Sequence, residues 1–205
     1  MKKFKLTSEF IVDISGVKLF RIKALIEFGN VKAGDLGGYI EKEENLSHMG
    51  DAWVFGNARV SGNAQVFGDA WVFGNARVSG NAQVFGNARV SGNAQVFGNA
   101  QVFGNARVFG DAWVSDDARI SGNARVSGNA QVFGDKDYAY AHGFGSCNRT
   151  TTFFRLKDGD VGVRCGCFYG TLAQFRDKVC ETHGETKKAQ EYLMLADLME
   201  IRFKN

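Results

Sequence analysis

Residues 50–67 read GDAWVFGNARVSGNAQVF, and residues 68–85 repeat that 18-mer without a change. A shorter period lies beneath it. From Gly50 to Phe133 the chain runs through 14 consecutive hexads of the form Gly-(Asn/Asp)-Ala-x-(Val/Ile)-x, with no insertion. Only Asp116 stands where Gly is due, and only Ile120 where Val is due. Such strict periodicity marks a solenoid. Ala and Val alternate as they would on a strand, so Ala52 and Val54 share one face while Trp53 and Phe55 share the other. Three hexads fill the 18-residue unit, which predicts a three-sided coil with one hexad per side. Small and branched residues then face a narrow interior, and Gly-Asn or Gly-Asp forms each corner. A helix is excluded, because Gly at every sixth position would cost about 1 kcal/mol each relative to Ala. The 14 hexads make about 4.7 coils, a prism roughly 22 Å long at about 4.8 Å per coil.

Composition agrees with that reading. Gly supplies 26 of the 205 residues and Pro none, where about 7% and 5% are usual. Gly without Pro excludes collagen and argues against a Pro-rich linker. A formal net charge of +3 excludes a polybasic arm or an acidic tail as the dominant feature. No apolar run reaches the roughly 18 residues of a membrane span. No secretory signal follows the basic start Met1-Lys2-Lys3, so the expectation is a cytoplasmic protein with reduced thiols and no membrane contact.

The hexads resemble the hexapeptide-repeat family, whose fold is the left-handed parallel β-helix; the handedness comes from the resemblance alone. The segment VKAGDLGGYI at 31–40, followed by repeats, is similar to uncharacterised repeat proteins of phages, prophages and gut bacteria. GSCNRTTTFF at 145–154, Cys165-Gly166-Cys167-Phe168 and Thr182-His183-Gly184 resemble a module ending the same proteins. That resemblance implies the cytoplasm of a bacterial host and a phage accessory protein that binds a host factor, such as part of a defence system. Many hexapeptide-repeat proteins are CoA-dependent acyltransferases that carry a His on or near a protruding loop. The 14 hexads here hold no His and no loop. His48 precedes them, His142 and His183 follow, and His142 is the candidate nearest the last coil.

Three parts are expected: an N-terminal cap at 1–49, a hexapeptide β-helix at 50–135 and a C-terminal ββαα module at 136–205. In the cap, strands at Glu9–Ile14 and Val17–Leu25 flank Ser15-Gly16, and Leu36–Leu46 leads into the first coil. In the module, a hairpin pairs Thr150–Leu156 with Val161–Phe168. A helix follows from a Thr171/Gln174 capping box to Gly184, then a second from Thr186 that buries Ala189, Tyr192, Leu193, Ala196 and Met199.

An 18-residue coil stacks outward residues in columns. Trp53, Phe55, Trp71 and Phe73 fall into one aromatic cluster, and Phe67, Phe85 and Phe103 into an unbroken ladder. These are the expected contacts with a second copy, in a trimer or dimer, or with a host protein. Arg89, Arg107 and Arg125 form a column of like charge that an anion would relieve, and Arg149 is a further anion contact. Beside tryptophans, such a strip suits a nucleotide or single-stranded nucleic acid, although nucleic acid is the lesser expectation. Cys165, Cys167, Cys180 and His183 are the candidate zinc ligands, but their spacing matches no known knuckle, so neither a metal nor a cofactor is expected. The sequence therefore reads as a non-enzymatic binding or assembly protein. The alternatives are a CoA-dependent acyltransferase and a nucleotide or nucleic-acid binder.

Overall fold

A computed structural model describes residues 1–204. Each hexad forms one two-residue strand at its x-Val positions, from β4 (Trp53–Val54) to β17 (Gln131–Val132). Strands 18 residues apart pair in parallel, so Trp71 lies against Arg89, Gln95 against Trp113 and Gln83 against Gln101. Three parallel sheets result, one per side. Ala and Val of every hexad are fully buried, so a single column of small and branched side chains fills the interior. The corners turn on left-handed glycines. Gly92 has φ +68°, and a Cβ there would lie 2.9 Å from the Gly110 nitrogen of the next coil. Asp116, at φ 53°, takes the same conformation without being Gly.

Corner asparagines add a second ladder outside the backbone. Asn63 Nδ2 donates to Asn81 Oδ1, Asn81 to Asn99 and Asn99 to Asp117, at 3.3, 3.1 and 3.1 Å. An aspartate only accepts, so Asp117 ends the run.

The coil has a direction. The N–H of Arg59 donates to the carbonyl of Ala76, and that of Trp71 to Ala88, both at 2.9 Å. Outside the strand ladders, every coil thus donates to the one after it. The first coil is left with unpaired carbonyls and the last with unpaired N–H groups, and both must find partners elsewhere.

Parallel pairing begins before Gly50. Strands β1 (Phe4–Val12) and β2 (Lys18–Ala24) form an antiparallel hairpin, and β2 pairs with β3 (Leu36–Ile40). Strand β3 in turn pairs in parallel with Arg59–Val60, placing Ile40 beside Val60, while Leu46 bridges Val66. The segment expected only to lead into the solenoid therefore supplies its first rung. The hairpin strands also begin and end elsewhere than the sequence suggested, because pairing with β3 fixes their register. At Gly37 and Gly38 the cap meets the coil so closely that a Cβ would lie 2.6 Å from the carbonyl oxygens of Val54 and Ala58.

After the last coil come four antiparallel strands, β18 (Tyr138–Phe144), β19 (Arg149–Arg155), β20 (Val161–Cys165) and β21 (Phe168–Thr171). Helices α1 (Leu172–His183) and α2 (Lys187–Phe203) complete the module. The expected hairpin is β19 and β20 and both expected helices are present; β18 and β21 extend the hairpin to a sheet of four strands. Thr171 and Gln174 form the expected capping box, and Ala189, Tyr192, Ala196 and Met199 are buried with Phe203. Among the described residues no helix is long and apolar enough to cross a membrane.

Candidate functional site

One side of the prism carries Trp71, Arg89, Arg107 and Arg125 in direct register. Coil spacing of roughly 4.8 Å holds the guanidinium groups close enough to repel. Burial, together with Arg125 and Arg89 on either side, lowers the pKa of Arg107, yet a guanidinium keeps its charge. Aromatic rings lie against two of the arginines. Arg89 Cζ lies 4.8 Å from the Trp71 ring, and Arg164, arriving from β20, lies 5.3 Å from the Phe109 ring and 5.9 Å from Tyr169. Such contacts orient a cation without neutralising it.

These side chains line two adjoining clefts. The first, of about 290 Å³, lies among Phe73, Arg89, Arg107, Phe109, Arg125 and Arg164. The second, of about 420 Å³, lies among Asn123, Arg125, His142, Asn148, Arg149 and Thr150, so Arg125 belongs to both. Neither lining contains a carboxylate. Among the described residues none of Arg89, Arg107, Arg125, Arg149 and Arg164 is in an ion pair. The Nε of Arg164 is buried with no protein acceptor, so this side chain is held by its rings rather than by an acid.

A third cleft, of about 300 Å³, opens between the end of β20 and the two helices. Cys165, Cys167, Phe168, Phe175, His183 and Tyr192 line it, and Arg149 reaches it from the second cleft. Cys165 is buried. Its sulfur accepts from Thr151 Oγ1 at 3.2 Å and faces the Tyr192 hydroxyl at 3.7 Å. Burial is the main cause of the raised Tyr192 pKa.

The other expected site residues divide clearly. Trp53 is a correction: its side chain leaves the prism but is 1% exposed, packed edge-on against Phe4 and Phe28 at 6.2 and 5.3 Å. The cap covers it, so it offers no outer surface. Phe55 is half-buried against the core and lies 5.3 Å from Trp71. Phe67, Phe85 and Phe103 do form the expected ladder, with rings 4.8 and 5.0 Å apart and within 3° of parallel; each ring covers the face of the next. Of the candidate metal ligands, Cys165, Cys167 and His183 share the third cleft, whereas Cys180 is exposed on α1 outside it. No three His, Cys, Asp or Glu side chains gather as a metal would require among the described residues. His48 belongs to the cap, stacked on Phe4 and 2.6 Å from Glu43. His142 is exposed in the second cleft, bonded to Thr150 Oγ1 at 2.9 Å.

Sequence reasoning missed Arg164 altogether. Its neighbour in the cleft is set by module packing, which has no period to read. The alternation Tyr-Ala-Tyr-Ala-His at 138–142, passed over by the ββαα expectation, is the signal that could have found β18, the strand that brings His142 into the cleft with Arg125.

Comparison with known proteins agrees with the solenoid. The pattern described as a YdcK β-solenoid repeat matches residues 52–68, 82–98, 100–116 and 118–134. A protein of Escherichia coli (strain K12) named "Uncharacterized acetyltransferase YdcK" is 34% identical over 80 residues, 32% of this chain and 24% of that protein. The chain thus spans about a quarter of the length of that relative.

Proposed function

Taking the hexads as a repeat region of the hexapeptide β-solenoid family, we propose that the protein is a non-enzymatic binding protein whose working surface is the arginine-lined side. Its ligand is a polyanion. One observation carries this: five arginines converge on two joined clefts that contain no carboxylate. Left empty, such a face is under mutual repulsion, and an anion relieves it.

The test is calorimetric titration with sodium tripolyphosphate at low and moderate salt. Arg107→Glu is expected to weaken binding about tenfold or more, equivalent to about 1.4 kcal/mol. Arg77→Glu, on a different column, should change it little. Affinity should fall as salt rises. Equal losses from the two substitutions would overturn the assignment to this face.

Acetyl transfer is the second reading, supported by the relative's name and by His142 in the second cleft. General-base catalysis needs an imidazole within hydrogen-bond reach of the acceptor. Acetyl-CoA is itself polyanionic, so both readings expect it to bind. Acetyl transfer that is lost in His142→Ala would favour the enzyme.

A further inference from the structure

Resting on the polyanion reading, we infer that the third cleft is a subsite for an uncharged planar group carried by the same ligand. The three clefts form one track: Arg125 joins the first to the second, and Arg149 joins the second to the third. Their character changes along it. The first presents four arginines with Phe73 and Phe109, and the second arginines and asparagines, whereas the third presents Phe168, Phe175, Val179 and Tyr192, with Arg149, Lys178 and His183 around them. On the solenoid side Arg89 covers Trp71 and Arg164 covers Phe109, which leaves Phe73 as the remaining ring of that lining. An aromatic end of the ligand finds its apolar wall in the module. At about 300 Å³ the cleft stands at the small end of small-molecule sites, fit for one ring system.

The loop joining the clefts is built for position. Cys147 and Asn148 both adopt left-handed backbone angles, φ 58° and 45°, a conformation non-Gly residues hold only where the surroundings enforce it. The enforcement is visible. Gly145 N donates to Glu191 Oε2 at 2.7 Å and Ser146 N to the Tyr192 hydroxyl at 3.0 Å. A Cβ on Gly145 would overlap the Tyr192 ring. Helix α2 thereby fixes the segment that delivers Arg149 between the two clefts. The ligand class is an organic polyphosphate bearing an aromatic ring.

The experiment compares ATP with sodium tripolyphosphate, which share a triphosphate and differ in the ring-bearing part. On the full chain, ATP should bind at least about fivefold more tightly. ATP should also slow iodoacetamide labelling of Cys167, which is exposed at the cleft, and leave Cys180, exposed outside it, unchanged. Tripolyphosphate should protect neither. Thr182→Trp, at an exposed position of α1 on the cleft wall, should bring ATP down to the affinity of tripolyphosphate. Equal affinities with no protection of Cys167 would overturn the subsite while leaving the solenoid reading in place. Failure of both probes to bind would overturn the reading on which it rests.

Discussion

The two ends of the solenoid are closed by opposite chemistry. At the N-terminal end the orphan groups are carbonyls, and the cap supplies donors. Lys3 Nζ reaches the carbonyls of Gly50 and Ala52 at 3.1 and 2.8 Å, and Asn45 Nδ2 reaches those of Gly62 and Ala64 at 3.1 and 2.8 Å. At the C-terminal end the orphans are N–H groups, and the module supplies acceptors. Asp135 Oδ1 accepts from Arg119 N at 3.0 Å, Thr152 Oγ1 from Arg125 N at 2.9 Å and Asp137 Oδ2 from Phe133 N at 3.0 Å. Outside its strand ladders this stack has a hydrogen-bond direction, and like a helix it needs complementary groups at its termini. The caps do more than hide edge strands from other chains; each side chain takes the place of part of a missing coil.

Reversing one end tests this most severely. Lys3 is 1% exposed, beside Asp51 and Asp69. Lys3→Glu would set a carboxylate against two carbonyls and two acids, and should cost about 4 kcal/mol or more. Denaturant unfolding measures it; a loss below about 1 kcal/mol would show that the lysine does not close the stack. The milder Lys3→Met gives a pH test. Burial lowers the Lys3 pKa from 10.5 to about 8, with Asp51 and Asp69 opposing the shift. Between those values the unfolded chain binds the proton more strongly, so stability from this group rises with pH from about 8 to 10.5 and is flat below. Wild type should therefore gain on Lys3→Met as pH rises through that window.

The acceptor end predicts a smaller effect. Thr152 is fully buried, and Thr152→Val keeps its shape while leaving Arg125 N without its acceptor. A loss of about 1–2 kcal/mol is expected. Because Arg125 belongs to two of the clefts, tripolyphosphate affinity should fall with it; an unchanged midpoint would mean that this end closes by packing alone.

How much of this was legible varies along the molecule in the same way. Inside the solenoid, arithmetic assigned every role: a period of 18 placed Arg89, Arg107 and Arg125 in one column and Phe67, Phe85 and Phe103 in another, as the strand pairs show. At the ends arithmetic failed. Ile40 and Leu46 stand six apart, as two Val positions do, but Ile40 pairs with Val60 twenty residues on rather than eighteen, and the slip concealed the first rung. Trp53 has the same place in its hexad as Trp71, yet the hairpin covers one and leaves the other half-buried. Arg164 and Arg149 join the site through a fold whose contacts follow no period. The candidate site was readable as a charge column and not as a cleft.

The smallest effect concerns a corner far from Lys3, in the hexad whose Arg119 N bonds to Asp135. Asp116 occupies a left-handed corner at φ 53°, a conformation that disfavours side chains with a Cβ. Asp116→Gly removes that strain and adds unfolded-chain entropy, leaving a net gain of about 0.5–1 kcal/mol. Combined with Lys3→Met, the two effects should add within about 0.5 kcal/mol, since the sites share no partner. Additivity would mean that each end is closed by its own hydrogen bonds and that the intervening coils contribute independently. A larger deviation, measured by denaturant unfolding of the single and double variants, would show that strain at a corner reaches the capping lysine through the stack, and the contrast between self-sufficient coils and assisted ends would have to be given up.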